Sequence, residues 1–230
     1  MLKIFSFVLV MASLVSSANA ALLASWSFTD SSQAGVATSG NLIAGDQDGN
    51  FSGNAGGYAS ASVSTTASGA SLVRTAVFFL KAADLASASI ERFTFDALRG
   101  TGANPPVATG TRATRVSVVA DVGTGSADVG GFVLGSNVSG LTVSPDSNSN
   151  LTASYTEYEG VFSTPVSLAG GDVLRLTVTY TGTAGTTTAS TVLRLDDMQI
   201  FGSAVPEPTS MAVFGLLGAG VIARRIRRKA

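Results

Sequence analysis

The stretch VLRLTVTY, which covers Val173–Tyr180, has the most regular pattern in the chain. Two sets of side chains alternate along it: Leu174, Leu176, Val178 and Tyr180 on one side, and Val173, Arg175, Thr177 and Thr179 on the other. Successive side chains of a β-strand point to opposite faces of a sheet, so this alternation predicts a strand with one buried face. The stretch therefore predicts a sheet that covers a hydrophobic core.

Similar runs recur from Ala21 to Ala204. They contain Leu22, Ala24, Trp26 and Phe28; Leu72 to Leu80, which is apolar except at Arg74 and Thr75; Phe93 and Phe95; Val116, Val118 and Ala120; and Phe132 and Leu134. Both alternating sets of Leu72–Leu80 are largely apolar, so we expect both faces of that strand to be buried. Clusters of Gly, Asn, Asp and Pro separate the runs, and the body of the chain has no helical periodicity. The pattern predicts an all-β fold, an antiparallel β-sandwich of the jelly-roll type.

The composition excludes several kinds of chemistry. The 230-residue chain has room for one ordinary domain, and it contains neither cysteine nor histidine. Disulfides, thiolate and histidine metal sites, and nucleophiles that need a histidine base are therefore excluded. Between Ala21 and Pro208 there are 8 basic and 15 acidic residues, a net charge of −7. An acidic body is a poor partner for nucleic acid, so we expect no nucleic-acid binding.

The N-terminal residues have the organisation of a secretory signal peptide. Lys3 supplies a positive start, Ile4–Val15 is a 12-residue apolar run, and Ala18 and Ala20 are small residues where a signal peptidase needs them. The apolar run is shorter than the roughly 20 residues of a membrane-spanning helix. The sequence predicts a signal helix within residues 1–20, passage through the general secretion machinery, and cleavage by signal peptidase after Ala20.

The C-terminal residues combine three parts. Val205, Pro206, Glu207 and Pro208 precede the 13-residue apolar run Met211–Ala223, and five basic residues follow it: Arg224, Arg225, Arg227, Arg228 and Lys229. The prolines favour extended chain, and the apolar run reaches only about 20 Å at 1.5 Å per residue. Basic residues remain on the cytoplasmic side of a membrane. We expect a short hydrophobic helix that inserts transiently into the inner membrane.

This order of a Val-Pro-Glu-Pro tetrapeptide, an apolar run and an Arg-rich end resembles the PEP-CTERM sorting signal of Gram-negative bacteria. The resemblance implies recognition by an exosortase, a membrane-embedded transpeptidase-like enzyme, with cleavage near Pro206–Pro208. It also implies transfer of the body to the cell surface or to an exopolysaccharide-rich matrix such as a biofilm. The expected organisation is a signal peptide at 1–20, a sandwich passenger at 21–203 and the sorting signal at 204–230. A Pro-rich hinge before a permanent anchor is the alternative.

The last run before the sorting signal is VLRLDDMQIFG. Leu193 and Leu195 share one phase of the alternation and Met198 and Ile200 the other, which predicts a β-bulge at Asp196-Asp197. This ending resembles the last strand of jelly-roll passenger domains of PEP-CTERM proteins and of carbohydrate-binding sandwich modules, and the start LLASWSF resembles their first strand. The resemblance implies that the first and last strands are neighbours, with Trp26 near Asp196–Ile200.

Candidate metal ligands are few. Asp196 and Asp197 could help to hold a structural Ca²⁺, which prefers oxygen ligands. The alternative is a bulge whose aspartates face solvent or bond to backbone amides. The segment Asp46–Asn50 resembles part of a calcium loop, but its glycine is misplaced for an EF-hand, and we expect a plain turn there. No metal or other cofactor is predicted from these residues.

The sequence leaves three functions open for the passenger domain. A structural or adhesive surface protein without enzymatic activity is the first, and a carbohydrate-binding module is the alternative. Tyr58, Tyr155 and Tyr158 are candidates for stacking on sugar rings, whereas the phase of Trp26 places it in the core. A glycan-active enzyme is the distant third: Glu157 and Glu159, two apart on one strand, have the spacing of a glycosidase carboxylate pair but lack a predicted pocket. We therefore predict no catalytic residues.

Overall fold

The computed structural model describes residues 20–28, 32–54, 58–63, 71–84, 86–101, 114–146, 151, 154–183 and 191–205. Within these ranges the chain forms strands, turns and loops, and none of it is helical. The strands form two antiparallel sheets around one core, which confirms the predicted all-β antiparallel sandwich. The predicted signal helix and C-terminal helix lie outside the described residues. Across the ranges given above, no helix has the length and hydropathy to cross a membrane.

The strands are, in chain order, β1 Ala21–Trp26, β2 Val36–Ala37, β3 Leu42–Ala44, β4 Asp48–Gly49, β5 Ser52–Asn54, β6 Tyr58–Val63, β7 Ser71–Ala82, β8 Ser87–Thr101, β9 Thr114–Gly125, β10 Phe132–Asn137, β11 Leu141–Ser144, β12 Thr156–Leu168, β13 Val173–Thr183 and β14 Thr191–Val205. The first sheet, sheet A, has the order β11-β12-β8-β14-β1-β2, with β6 also on β14 and β5 on β6. The second, sheet B, has the order β10-β9-β13-β7-β3, with β4 also on β7.

Strand β14 lies in the middle of sheet A and has two partners on one of its edges. β6 pairs with it as far as Leu195, and β1 pairs with it from Met198 to Gly202. The neighbouring strand therefore changes at Asp196 and Asp197, where the register with β8 also shifts. A bulge absorbs the mismatch between the two partners. The predicted bulge is confirmed, and Trp26 lies opposite Met198 as expected.

Strand β13 lies in the middle of sheet B and contributes its leucine-bearing face to the core. The inward side chains are fully buried: Leu174, Leu176, Val178 and Tyr180. They belong to one hydrophobic cluster with inner residues of sheet A such as Trp26, Phe93 and Leu195. The Trp26 ring packs edge-on against Phe78 and donates a hydrogen bond to the carbonyl oxygen of Gly45 at 2.8 Å. The alternation in VLRLTVTY is thus confirmed as the pattern of a strand with one buried face, except that Val173, the first residue of the opposite set, is buried as well.

The outer face of β7 is only partly covered. Phe79 is fully buried on this face because the ring of Phe132, from β10, packs 5.8 Å from it. Val73, on the same face nearer the start of the strand, is 49% exposed. The prediction that both faces of Leu72–Leu80 are buried is therefore right for Phe79, which Phe132 covers. It is wrong for Val73, because Phe132 covers only the other end of this face.

Candidate functional site

Three carboxyl groups lie side by side on the outer face of sheet A, one on each of three neighbouring strands. Glu157 of β12 pairs with Asp96 of β8, and Asp96 pairs with Asp196 of β14. Adjacent residues such as Tyr158 and Leu195 are buried in the core, so the carboxyl groups point outwards. Side chains directly opposite each other in a sheet have Cβ atoms about 4.5–5.5 Å apart. We call Glu157, Asp96 and Asp196 the carboxylate row.

The bulge adds a fourth carboxyl group beside this row. Asp197 has a φ of 47°, a left-handed conformation that aspartate tolerates better than most residues. Its backbone N–H donates to Oδ1 of Asp196 at 2.8 Å, and its Oδ1 accepts a hydrogen bond from Nε2 of Gln199 at 2.8 Å. These hydrogen bonds agree with the second interpretation of the sequence, in which the aspartates of the bulge bond to nearby groups of the chain and hold no metal ion.

The carboxylate row has unusual protonation properties. Burial raises the pKa of Asp196 to about 6, against the lowering effect of the hydrogen bond from Asp197, and the negative charges of Asp197 and Asp96 add to the rise. Burial also raises the pKa of Asp96, and the charges of Glu157 and Asp197 contribute. A carboxyl group whose pKa is raised by burial and by neighbouring like charges is a candidate for a functional site.

Two tyrosines and an arginine lie next to the carboxylate row. Arg194 is only 4% exposed although it points to the outer face, because its guanidinium lies over the ring of Tyr58, 4.1 Å from the ring centre. It also forms a hydrogen bond with Tyr155, whose side chain is 41% exposed. Burial raises the pKa of Tyr155 to about 12. We call Tyr58, Arg194 and Tyr155 the Tyr–Arg cluster.

Three other candidates from the sequence have structural roles. Trp26 is fully buried, and Tyr158 is 1% exposed with its ring stacked 5.2 Å from Phe95, so both belong to the core. Glu159 lies on the outer face, where its Oε1 is 3.4 Å from a guanidinium nitrogen of Arg92. The buried position of Tyr158 excludes it from stacking on a ligand at the surface.

The candidate metal ligands do not form a cluster. In the parts of the chain that the structure describes, no group of three or more acidic side chains is arranged to hold a metal ion. A Ca²⁺ site at Asp196 and Asp197 therefore stays a hypothesis. The predicted plain turn at Asp46–Asn50 contains the short strand β4, which pairs with β7, so the prediction is wrong for Asp48 and Gly49.

The end of β14 carries the start of the predicted sorting segment. The strand continues to Val205, the first residue of the Val-Pro-Glu-Pro tetrapeptide, and pairs there with Ser87 of β8. Ala20, at the predicted signal-peptidase site, is half-buried and directly precedes β1. Ala18 lies outside the described residues, and so do the rest of the sorting residues: Pro206, Glu207, Pro208, Arg224, Arg225, Arg227, Arg228 and Lys229.

Two members of the outer face were not predicted from the sequence. Asp96 shares its phase with Arg92 and Thr94, so the alternation alone places it outwards. Its position beside Asp196 depends on the pairing of β8 with β14, which no local pattern reveals. Arg194 shares the phase of Asp196, but its burial depends on Tyr58, which comes from a distant part of the chain.

Comparison with known proteins gives one family match and two distant structural similarities. Residues 204–229 match the PEP-CTERM protein-sorting motif. No curated protein matches significantly. One similar structure is the CBM3a-L domain, with flanking linkers, of the scaffoldin cipA from the Clostridium thermocellum cellulosome, at 12% identity and a TM-score of 0.31 over 62% of this chain and 68% of that one. A second is a carbohydrate-binding module studied for its specific mannan recognition, at 13% identity and a TM-score of 0.38 over 81% of this chain and 99% of that one.

The two structural similarities do not bear on what this chain binds. The family match covers the tetrapeptide, the apolar run and the basic end in the order in which the sequence places them. Residues 204–229 therefore carry a PEP-CTERM protein-sorting motif, which implies export and membrane-associated sorting by an exosortase.

Proposed function

We propose that the protein is exported, cut after Ala20 by signal peptidase, and released from its tail by an exosortase that cuts near Pro206–Pro208. The sorting motif at residues 204–229 carries this proposal. The motif begins on the last two residues of β14, so the folded sandwich is joined to it without a linker. The apolar run holds the tail in the inner membrane for a time, and the basic end holds the C-terminus on the cytoplasmic side.

The passenger is then a structural or adhesive protein of the cell surface or of an exopolysaccharide-rich matrix. In this proposal residues 1–20 are the signal peptide, 21–203 the passenger and 204–230 the sorting signal. The alternation of successive long strands between the two sheets supports a sandwich of the jelly-roll type: β7, β8 and β9, then β12, β13 and β14. The lack of cysteine and histidine supports a role without catalysis.

Intact mass and C-terminal peptide sequencing of the protein from its native host test the sorting proposal. We expect the surface form to lack residues 1–20 and to end near Pro206–Pro208. A Glu207→Gln variant should keep its tail, because it removes the charge between the two prolines. Glu157→Gln, the same change on the outer face of sheet A, should be processed normally. A mature surface form that still carries Arg227–Ala230 would overturn the proposal.

Carbohydrate binding is the second candidate function, and the Tyr–Arg cluster favours it. An exposed tyrosine ring beside a buried guanidinium and several carboxyl groups offers an apolar surface with hydrogen-bonding groups around it. A glycan array tests the idea with Tyr155→Ala, which should abolish binding. Val161→Ala removes a similarly exposed side chain further along β12 and should leave binding intact. If the protein binds no glycan, the structural or adhesive role remains as the proposed function.

A glycan-active enzyme remains the distant alternative. Glu157 and Glu159 lie two residues apart on β12, but Glu159 is engaged by Arg92. Glycan hydrolysis by the purified protein would favour this alternative, provided that the Glu157→Gln, Glu159→Gln double variant lacks the activity. Hydrolysis that survives in the double variant would exclude this carboxylate pair as the catalytic one.

A further inference from the structure

The first strand of the sandwich begins beside the point where the last strand ends. β1 begins at Ala21, directly after the predicted signal peptide, and β14 ends at Val205, inside the sorting motif. The two strands are antiparallel neighbours, with Ala21 opposite Gly202. The two segments that the sequence predicts to enter the membrane, one at each end of the chain, therefore leave the sandwich at the same end.

Two connections between the sheets cover this end of the sandwich. One follows β7 and leads to Ser87, the first residue of β8, which pairs with Val205. The other links β12 to β13, and its Gly171 N–H donates a hydrogen bond to the carbonyl oxygen of Ala82, the last residue of β7. Both connections therefore lie beside the end of β14. We call their exposed and half-buried residues the tail-side surface: Ala83, Asp84 and Ala169–Asp172.

We propose that the tail-side surface faces the phospholipid surface of the inner membrane until an exosortase removes the tail. This inference rests on the proposed function. Only five residues, 206–210, separate Val205 from the apolar run Met211–Ala223. An extended chain spans at most about 3.6 Å per residue, so Val205 stays within about 20 Å of Met211. The precursor has a second tether of the same length, because five residues also separate Val15, the last residue of the N-terminal apolar run, from Ala21.

The Tyr–Arg cluster lies towards the opposite end of the sandwich. Arg194 precedes Val205 by eleven residues on β14, and a strand rises about 3.3 Å per residue, so about 35 Å separates the two. The cluster can therefore approach the lipid only if the sandwich tips onto one face. Tipping onto the outer face of sheet A would cover the carboxylate row, whose charges would lose their hydration. The tethered sandwich thus stands on its tail-side surface and presents the Tyr–Arg cluster away from the membrane.

Single-cysteine variants of the full chain test this orientation, because the chain has no cysteine of its own. Ala169→Cys places a label on the tail-side surface, and Thr181→Cys, also exposed, places the same label near the far end of β13. Both variants are expressed in a host without the exosortase, so that the tail remains. Spheroplasts are labelled with a fluorophore and supplied with a phospholipid that carries a nitroxide on its headgroup, which quenches fluorescence only at short range.

We expect the label at residue 169 to lose most of its fluorescence and the label at residue 181 to lose little. Asp84→Cys, on the other connection, should give the same result as Ala169→Cys. A further variant of the Ala169→Cys chain carries a twenty-residue Gly-Ser segment between Thr209 and Ser210. This segment has an average span of about 25 Å, so the quenching should fall towards the level seen at residue 181.

Equal quenching at residues 169 and 181 would overturn the inference, because the sandwich would then have no fixed end towards the lipid. Unchanged quenching in the chain with the inserted segment would also overturn it, because the short tether would then not set the orientation. Full-length protein that is absent from the membrane fraction would overturn the proposed function and this inference with it.

Discussion

Asp121 and Asp196 both lie on the outer face of a sheet, but their neighbours differ. Asp121, on sheet B, is 2% exposed; its Oδ2 accepts hydrogen bonds from Arg175 at 2.6 and 3.0 Å, and its Oδ1 accepts one from Asn137 at 2.6 Å. Asp196, on sheet A, lies beside Asp96 in the carboxylate row. One face therefore surrounds a buried carboxylate with donors, and the other places like charges next to each other. The comparison teaches that the charges on sheet B compensate each other, so that removing one partner alone is costly, whereas the charges of the row on sheet A repel each other and oppose folding.

The largest effect should come from breaking the pair on sheet B. Arg175→Met keeps the apolar stem but leaves Asp121 buried without its cation, so we expect a loss of about 3 kcal/mol in the free energy of unfolding. Urea unfolding of the purified mature protein measures this. The double variant with Asp121→Asn removes both charges and should regain most of the loss. If the single and double variants are equally unstable, packing rather than charge explains the role of Arg175.

A smaller loss of stability should follow when the aromatic ring that covers the Arg175–Asp121 pair is removed. The ring of Phe132 lies 4.5 Å from the guanidinium carbon of Arg175 and 5.8 Å from the ring of Phe79. Phe132→Ala exposes both, and because Phe132 is itself half-buried we expect about 2 kcal/mol of destabilisation. Leu134→Ala, on the same strand and 52% exposed, is the matched control and should change stability by less than about 0.5 kcal/mol. Equal losses in the two variants would mean that stability depends on β10 as a whole and not on the contacts of the Phe132 ring.

The two faces also differ in how far the sequence predicts them. Alternation in VLRLTVTY places Arg175 on the outer face, and the phase change in VLRLDDMQIFG places the bulge at Asp196. Both features are local, since each depends on the period of a single strand. The burial of Phe79 under Phe132 is not local, because it needs β10 to fold beside β9 at the edge of the sheet.

The candidate site shows the same limit. Asp196, Glu157 and Tyr155 are visible as candidates in the sequence, but nothing in it aligns β12, β8 and β14 so that Glu157, Asp96 and Asp196 form a row. Register between strands distant in sequence is set by the whole core and by the bulge, where β14 changes partner. The sorting motif is the opposite case, since its three parts are contiguous and can be read without any fold.

Removing a charge from the row should stabilise the protein, opposite in sign to the changes on sheet B. The pKa of Asp196 rises from 3.8 to about 6 on folding, so folding favours the protonated form. Its contribution to stability is complete below about pH 4 and is lost as the pH rises to about 6. Because solvent screens this half-exposed group, we expect Asp196→Asn to gain about 1 kcal/mol near pH 7 and nothing near pH 3.5.

Unfolding in urea across this pH range measures the gain. Glu159→Gln is the matched control on the same face, because Glu159 is engaged by Arg92 and its neutralisation should bring no gain. A pH-independent effect of Asp196→Asn would mean that the carboxyl group does not change its proton affinity on folding. An equal gain in the control would assign the effect to the net negative charge of the body.

The smallest effect should reveal whether the row acts as a unit. Asp96 also has a raised pKa, but it is more exposed than Asp196, so Asp96→Asn should gain only about 0.3 kcal/mol near pH 7. The charge of Asp96 raises the pKa of Asp196, so removing Asp96 relieves Asp196, and the double variant should gain less than the sum of the single gains. Asp84→Asn, in the exposed turn after β7, should be additive with Asp196→Asn. Additive gains for Asp96 and Asp196 would mean that the two groups do not interact across the strands, and the contrast with Asp121 would then arise from burial alone.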